Sequence, residues 1–371
     1  MSPFVPSFES LPPPSPLLRA SVVIPARDEE CGVTRALDAL AHSCNDDGRR
    51  LDPRTWEVLL LCNNCRDDTA RVARQWSARR PDVALHVVEV WFDKGEANIG
   101  TVRRALMDAA CARLESLPNT ALPRFIASTD ADTRVGRDWL WENARAIEAG
   151  AEAVGGRILV EPDGNAQTRR TYLFDTAYRL LAARLESALD PQPHDPWPRH
   201  FQFFGASLSL TPRAYRKVGG IPPVPCLEDM ALERELVRAD LPIRHSPRVR
   251  AFTSARHNGR VACGLSSQLR QWNELESEEK LWLVPSGEEI AFKARTRRQL
   301  FLAFQDKAQS RVVADALGIC PLELRDQLNA ATHFGALWED MWNAAPIRAN
   351  WRPVPVGVAL EQIRALLADA V

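Results

Sequence analysis

An α/β fold, with a mixed, mainly parallel sheet flanked by helices and a helical C-terminal region, is predicted by three observations. Short apolar runs alternate with segments of helical period in the first third of the chain. Polar loops rich in Asp, Asn and Arg follow those runs. The last hundred residues carry helical periodicity with little strand signal.

The elements follow in order. Ser21–Ile24 is an apolar run stopped by Pro25, and Val33, Ala36, Leu37, Leu40 and Ala41 then recur at helical spacing. Val58–Leu61 reads as a second strand and Asn63–Asp68 as a polar loop, before a helix over Thr69–Ala78 that turns Val72 and Trp76 inward. Leu85–Val90 supplies a third strand, Val102, Ala105, Leu106, Ala109 and Ala110 a third helix, and Phe125–Ser128 a fourth strand. Such βαβ units build parallel sheets whose ligands bind at the carboxyl ends of the strands.

Beyond Gly150 the order changes. Ala153–Val160 reads as a strand, Gln167–Leu189 as a long helix with Tyr172, Leu173, Thr176, Leu180, Leu181 and Leu185 on one face, and Pro191–Pro198 as a proline-broken loop. Strands are expected over Phe203–Leu210 and Ile243–Phe252, around a helix at Met230–Ala239. From Leu265 the tail is expected to be mostly helical, with Leu281, Leu283, Leu300, Leu302 and Phe304 among its apolar positions.

At 371 residues the chain exceeds the usual size of a single core. The expected organisation is a flexible Pro-rich leader over 1–19, one large domain over 20–260 and a helical region over 261–371. A formal net charge of −1 gives no nucleic-acid footprint. Eight scattered cysteines lack the density of a disulfide scaffold, so a reducing cytoplasm is the expected setting. The leader lacks the basic and apolar regions of a signal peptide, and no apolar run is long enough to span a bilayer. A soluble protein is expected, with peripheral membrane contact left open.

The stretch Ser128, Thr129, Asp130, Ala131, Asp132, Thr133 places two carboxylates one residue apart after an apolar strand. In extended backbone positions i and i+2 face the same side, so both acids are expected to meet at one spot. Paired hard oxygens suit Mg2+ or Mn2+, with water and substrate phosphates completing the shell. A polar loop that caps the next helix, as Asp138 before Trp139 would, is the alternative.

Four segments in this order resemble the family 2 glycosyltransferases of the GT-A fold, a Rossmann-type architecture. They are Val22-Val23-Ile24-Pro25-Ala26-Arg27-Asp28-Glu29-Glu30, then Asn63-Asn64-Cys65-Arg66-Asp67-Asp68-Thr69, then Asp130 with Asp132, then Glu228 with Asp229. The resemblance covers about residues 20 to 260. It implies a donor nucleotide bordered by Pro25, Ala26 and Glu29, with Asn63, Asp67, Lys94, Arg103, Asp130 and Arg256 among its contacts. It also implies a metal held by Asp130, Asp132 and His257, and a catalytic pair Glu228 and Asp229 in which Asp229 is the base. For Glu29, Asp67, Glu228 and Asp229, helix capping and the helix dipole give a purely structural alternative.

The chain departs from the family at Cys62, where an Asp usually follows the strand. Cys62 and Cys65 form a Cys-x-x-Cys, which is compatible with redox chemistry, with half of a zinc site, or with neither. Gln268, Arg270 and Trp272 resemble the Gln-x-x-Arg-Trp of processive relatives, but Gln271 takes the Arg position, so a single transfer is expected.

The implied function is a metal-dependent, inverting transfer of one sugar from a nucleotide diphosphate donor to a hydroxyl acceptor, with Mg2+ or Mn2+ as cofactor. Two alternatives stand beside it: a sugar-phosphate nucleotidyltransferase, and a non-catalytic nucleotide-sugar-binding protein on a degenerate GT-A fold. The helical tail is expected either to cover the acceptor site or to mediate a homodimer.

Overall fold

The computed structural model describes residues 8, 10–93, 95–161, 166–253, 282–306 and 310–369. The chain divides into two compact units. The first comprises Met1–Asp163, Gln202–Arg234 and Pro242–Gln268, and the second Gly164–Phe201, Glu235–Leu241 and Leu269–Val371. This division differs from the one expected at residue 260, since the second unit also takes up a segment from the middle of the sequence.

The first unit is built on β1 (Ala20–Ala26), α1 (Val33–Ala41), β2 (Trp56–Asn63), α2 (Thr69–Arg79), β3 (Ala84–Val90), α3 (Ile99–Glu115) and β4 (Phe125–Ser128). These match the sequence reading to within a few residues, because each strand carries an apolar run and each helix an apolar stripe. After them come β5 (Arg134–Val135), α4 (Trp139–Glu148), β6 (Ala153–Val160), α5 (Ala166–Leu189), β7 (Leu208–Leu210), α6 (Pro212–Lys217), α7 (Glu228–Arg238) and β8 (Ile243–Thr253). Helix α5 belongs to the second unit, and α7 runs from one unit into the other.

The sheet has the order β3-β2-β1-β4-β7-β6-β8-β5. Its β3-β2-β1-β4 half is parallel throughout. The remainder mixes parallel β6/β8 with antiparallel β4/β7, β6/β7 and β5/β8. Every residue of β1 and β2 is buried, as expected where helices cover both faces of a parallel sheet. Val22, Ile24, Val58 and Leu60 join Val33, Leu37 and Leu40 of α1 in one core. Val23, Leu59 and Leu61, of opposite parity, are equally buried.

Two expectations of secondary structure are corrected. The strand expected over Phe203–Leu210 shrinks to Leu208–Leu210, because Ser207 N–H donates to Phe204 C=O and closes a turn there. In the tail, Leu283 lies in a short strand, β9 (Leu283–Val284), paired antiparallel with β10 (Val354–Pro355), and not in a helix.

The tail is otherwise helical: α8 (Gly287–Asp306), α9 (Ser310–Leu317), α10 (Pro321–Ala330), α11 (Phe334–Ala344) and α12 (Val356–Asp369). Within the second unit, Tyr178 and Leu185 of α5 pack with Ile290, Ala291, Leu360 and Ile363 of α8 and α12. Asp240 takes up the N–H groups of Phe334 and Gly335, both at 2.7 Å, at the start of α11. No described helix is long and apolar enough to cross a membrane.

Candidate active site

Because β1, β2, β3 and β4 run parallel, the loops after Ala26, Asn63, Val90 and Ser128 emerge along one edge of the sheet. The first two are laced together. Glu29 N–H donates to Thr69 Oγ1 at 2.7 Å, Glu30 N–H to Asp67 Oδ2 at 2.9 Å, Arg66 N–H to Asp28 Oδ1 at 2.6 Å and Asp68 N–H to Glu30 Oε2 at 3.1 Å. Asp67 Oδ1 also accepts from Thr69 N–H at 3.0 Å, so Asp67 holds the α2 entrance while facing the β1–α1 loop. Burial works against ionisation of Asp67, yet the Thr69 and Glu30 donors hold its carboxyl below the ordinary value. Pro25, Ala26 and Asn63 are buried at the strand ends, and Glu29 is half-buried.

Asp130 and Asp132 follow β4, but not in extended backbone. Thr133 N–H donates to Asp130 C=O at 3.1 Å, closing a turn across the pair, with Ala131 buried between them. The strand alternation used to bring both acids to one spot therefore does not operate here, since a turn replaces the pleat. Asp130 keeps a side-chain exposure of 36%.

Arg103 joins this turn to the proposed catalytic pair. It sits in the first turns of α3 with a side chain only 3% exposed. Its Nε donates to Glu228 Oε1 at 2.9 Å, one terminal nitrogen to Asp130 Oδ1 at 3.1 Å, and the other to Gly205 C=O at 3.0 Å and to Ser128 Oγ. Burial opposes the guanidinium charge, and the Asp130, Glu228 and Asp229 carboxylates outweigh it, so Arg103 stays cationic. The expectation that Arg103 reaches out to a donor phosphate is thus replaced by a different finding: its guanidinium is taken up by side chains of this chain.

Two close approaches make the arrangement possible. A Cβ at Gly205 would lie 2.4 Å from an Arg103 terminal nitrogen, and one at Gly100 would lie 2.1 Å from Val224 C=O in the segment leading to Glu228. Asn98 accepts from Thr101 N–H at 3.0 Å and caps α3, fixing the helix that delivers Arg103.

Asp229 lies at the start of α7. Its Oδ2 accepts from Gly205 N–H at 2.7 Å and its Oδ1 from Met230 N–H at 2.8 Å. Burial and the neighbouring Glu228 carboxylate push its carboxyl up to about 6, against the pull of the Gly205 N–H and Arg103. Leu227, just before the pair, holds a left-handed φ of 59°, a conformation that costs a branched residue energy and turns the chain sharply into the helix. Cys226 beside it is disulfide-bonded, which the reading of a reducing setting did not anticipate.

Structure thus brings together Arg103, Asp130, Glu228 and Asp229, and separately Glu29 and Asp67. Lys94, Arg256 and His257 lie outside the described residues, as do Gln268, Arg270 and Trp272. Among the described residues, the one grouping of three ligand-type side chains close enough for a metal is Asp28, Cys65 and Asp67, with ligand atoms within 4.8 Å of one another. The bridging role of Arg103 was missed in sequence. One signal was available: an Arg four residues before Met107 and seven before Ala110 falls on the buried stripe of its helix, where a cation needs carboxylate partners.

An edge of acidic loops at the carboxyl ends of parallel strands is compatible with a transferase. The chain belongs to the family described as Glycosyl transferase family 2, which its sequence matches over residues 21–208. It is a glycosyltransferase.

No curated protein matches the sequence. Among solved structures the chain is similar to the mannosyltransferase PcManGT from Pyrobaculum calidifontis, in complex with GDP-Man and Mn2+. Identity is 17%, 97% of this chain and 85% of that one are covered, and the TM-score is 0.45. It is also similar to S. aureus TarS 1-349 in complex with UDP-GlcNAc, with 14% identity, 95% and 89% coverage and a TM-score of 0.45. A third is glucosyl-3-phosphoglycerate synthase from Mycobacterium tuberculosis, with 15% identity, 72% and 84% coverage and a TM-score of 0.38.

Proposed function

We propose that the protein transfers a single sugar from a nucleotide diphosphate donor to a hydroxyl acceptor, with inversion at the anomeric carbon. One observation carries this reading: Arg103 ties Asp130 of the Asp-x-Asp turn to Glu228 of the Glu-Asp pair, so donor-side and acceptor-side acids share one site.

In the proposed step, Asp229 takes the proton of the acceptor hydroxyl while that oxygen bonds to the anomeric carbon. The bond from that carbon to the diphosphate oxygen breaks, and its electron pair leaves with the nucleoside diphosphate. A carboxyl held near pH 6 is ionised at neutral pH and is a stronger base than an ordinary aspartate. Gly205 and Met230 N–H groups orient it. Glu228, neutralised by Arg103, sets the charge beside it and does not take the proton. Inversion is proposed because one base stands on the acceptor side with no second nucleophile assigned.

The donor nucleotide is assigned to the β1–α1 and β2–α2 loops, with Pro25, Ala26, Glu29, Asn63 and Asp67 as its contacts. Asp130, partly exposed, and Asp132 are hard oxygen donors that suit Mg2+ or Mn2+, which would stabilise the charge developing on the leaving diphosphate. Asp132→Ala is expected to weaken donor binding in the presence of Mn2+ at least tenfold, to about the level of wild type with chelator. Calorimetric titration checks this, and identical curves for variant and wild type contradict the metal assignment.

The reading is tested by screening nucleotide sugars by thermal shift with and without Mn2+, then assaying the stabilising donor for product. Release of nucleoside diphosphate supports it. Release of pyrophosphate identifies a nucleotidyltransferase, and tight binding without turnover identifies a binding protein.

A further inference from the structure

The Cys-x-x-Cys at the end of β2 has no part in the chemistry above, yet its surroundings are built for thiol chemistry. Cys62 is buried and pairs in register with Ala26, while Cys65 is half-exposed and lies with its Sγ 3.5 Å from Ala26 C=O. The strand ends between them: Asn64 has a left-handed φ of 49°, its N–H bonds Val90 C=O, and its side chain clamps Phe92 N–H and C=O at 3.1 and 2.9 Å. That turn folds Cys65 back over the strand end, where both thiols lie beside Ala26 and interact electrostatically. Neither is in a disulfide.

Asp28 N–H donates to Cys65 Sγ at 3.4 Å. The neighbouring Cys62 thiol and the Asp28 N–H outweigh burial and draw the Cys65 thiol down to about 7, while Cys65 and burial push Cys62 far up. One sulfur is therefore half-exposed and readily ionised, and the other is a buried partner.

We propose that Cys62 and Cys65 are a redox-active dithiol that a hydroperoxide oxidises to an intraloop disulfide, loosening the two loops assigned to the donor nucleotide. The Cys65 thiolate attacks the O–O bond: an S–O bond forms, the O–O bond breaks, and the leaving oxygen is protonated to water when the oxidant is hydrogen peroxide. Cys62 then attacks the sulfenic sulfur, forming S–S, breaking S–O and releasing a second water. Two thiols lose two electrons and one peroxide gains them.

The disulfide takes the sulfur acceptor away from Asp28 N–H and removes the S–H that Cys65 donates to Ala26 C=O when protonated. Losing one or two such contacts beside Ala26 and Glu29 is expected to weaken nucleotide-sugar binding about tenfold. That consequence rests on the donor-site reading above, whereas the thiol chemistry does not.

The test uses the full chain, reduced and then treated with equimolar hydrogen peroxide, with peptide mass mapping and a sulfenic-acid trap. Wild type should give a Cys62–Cys65 linkage reversed by dithiothreitol. Cys62→Ser should be trapped as sulfenic acid at Cys65, and Cys65→Ser should leave Cys62 unmodified. Oxidation of exposed Cys31 and Cys320 without that linkage, or a sulfenic acid trapped at Cys62, overturns the dithiol.

Hydrogen exchange at the Glu29, Glu30 and Thr69 amides should speed up on oxidation, and unchanged exchange overturns the loosening. Nucleotide-sugar titrations of reduced and oxidised protein then separate the two readings. Failure of the reduced protein to bind any donor is a failure of the donor site, whereas equal binding by both forms overturns the coupling.

Discussion

Asp229 is asked both to ionise and to stay buried. Its folded-state carboxyl titrates near 6 against an ordinary value of 3.8, so the folded protein binds more protons than the unfolded chain between those values. Stability therefore falls as pH rises through that window, and Asp229 weakens the fold at neutral pH. Asp229→Asn is expected to lower turnover by about 10²–10⁴-fold while leaving the melting temperature at pH 7 equal or higher. In the wild type, turnover should fall below about pH 6 as the base is protonated; a rate flat from pH 5 to 8 contradicts the assignment. Arg103 has the opposite character. Arg103→Met leaves Glu228 buried without its cation and is expected to destabilise the protein by about 3 kcal/mol, read by denaturant unfolding. The Glu-Asp pair stands at a helix start, and the sequence singles it out only through the family resemblance. The Arg103 bridge was not legible, since its partners lie 27 and 125 residues away in sequence and pair only once the sheet has formed.

At the scale of elements, β2 carries a buried acid that illustrates what holds the parallel half together. Glu57 pairs in register with Ser21, whose hydroxyl donates to it at 2.9 Å, and takes Arg113 of α3 at 2.6 and 2.9 Å. Burial pushes the Glu57 carboxyl up, but Arg113, His86 and Ser21 together hold it at about 2, against an ordinary 4.5. Its stabilisation is fully present above pH 4.5 and is lost as pH falls toward 2. Glu57→Gln is expected to cost about 3 kcal/mol at pH 7 and much less at pH 3, measured by urea unfolding at both. Strands β1, β2 and β4 are legible because burial on both faces makes each largely apolar, and β3, mostly half-buried, because Leu85, Val87, Val88 and Val90 stand out around His86 and Glu89. The Leu208–Leu210 strand was overread because Phe203 is also fully buried, and hydrophobicity alone does not separate a buried turn from a strand. The Asp130–Asp132 turn was misjudged in the same way, by extending a strand period past the strand's last residue.

The molecule as a whole is not two consecutive domains. Helix α5, from the middle of the chain, packs in a core completed by α8 and α12 near its end. A chain cut after residue 260 keeps α5 but deprives Tyr178 and Leu185 of Ile290, Leu360 and Ile363. Such a fragment is expected to aggregate, or to lose hydrogen-exchange protection over 169–189, whereas the intact chain retains it. A fragment as soluble and protected as the full chain contradicts that expectation. Sequence period showed that each of these helices exists. It contains no term for which helices share a core, and the expected boundary at residue 260 follows the reach of the family resemblance.

The most direct measurement compares wild type with Asp229→Asn, each mixed with the donor that stabilises the wild type in Mn2+. Affinity is read by titration and nucleoside diphosphate release by chromatography. If Asp229 is the base beside an intact donor site, the variant binds within about twofold of wild type and releases at least about a hundredfold less product. Release at the wild-type rate, or loss of donor binding in the variant, contradicts it.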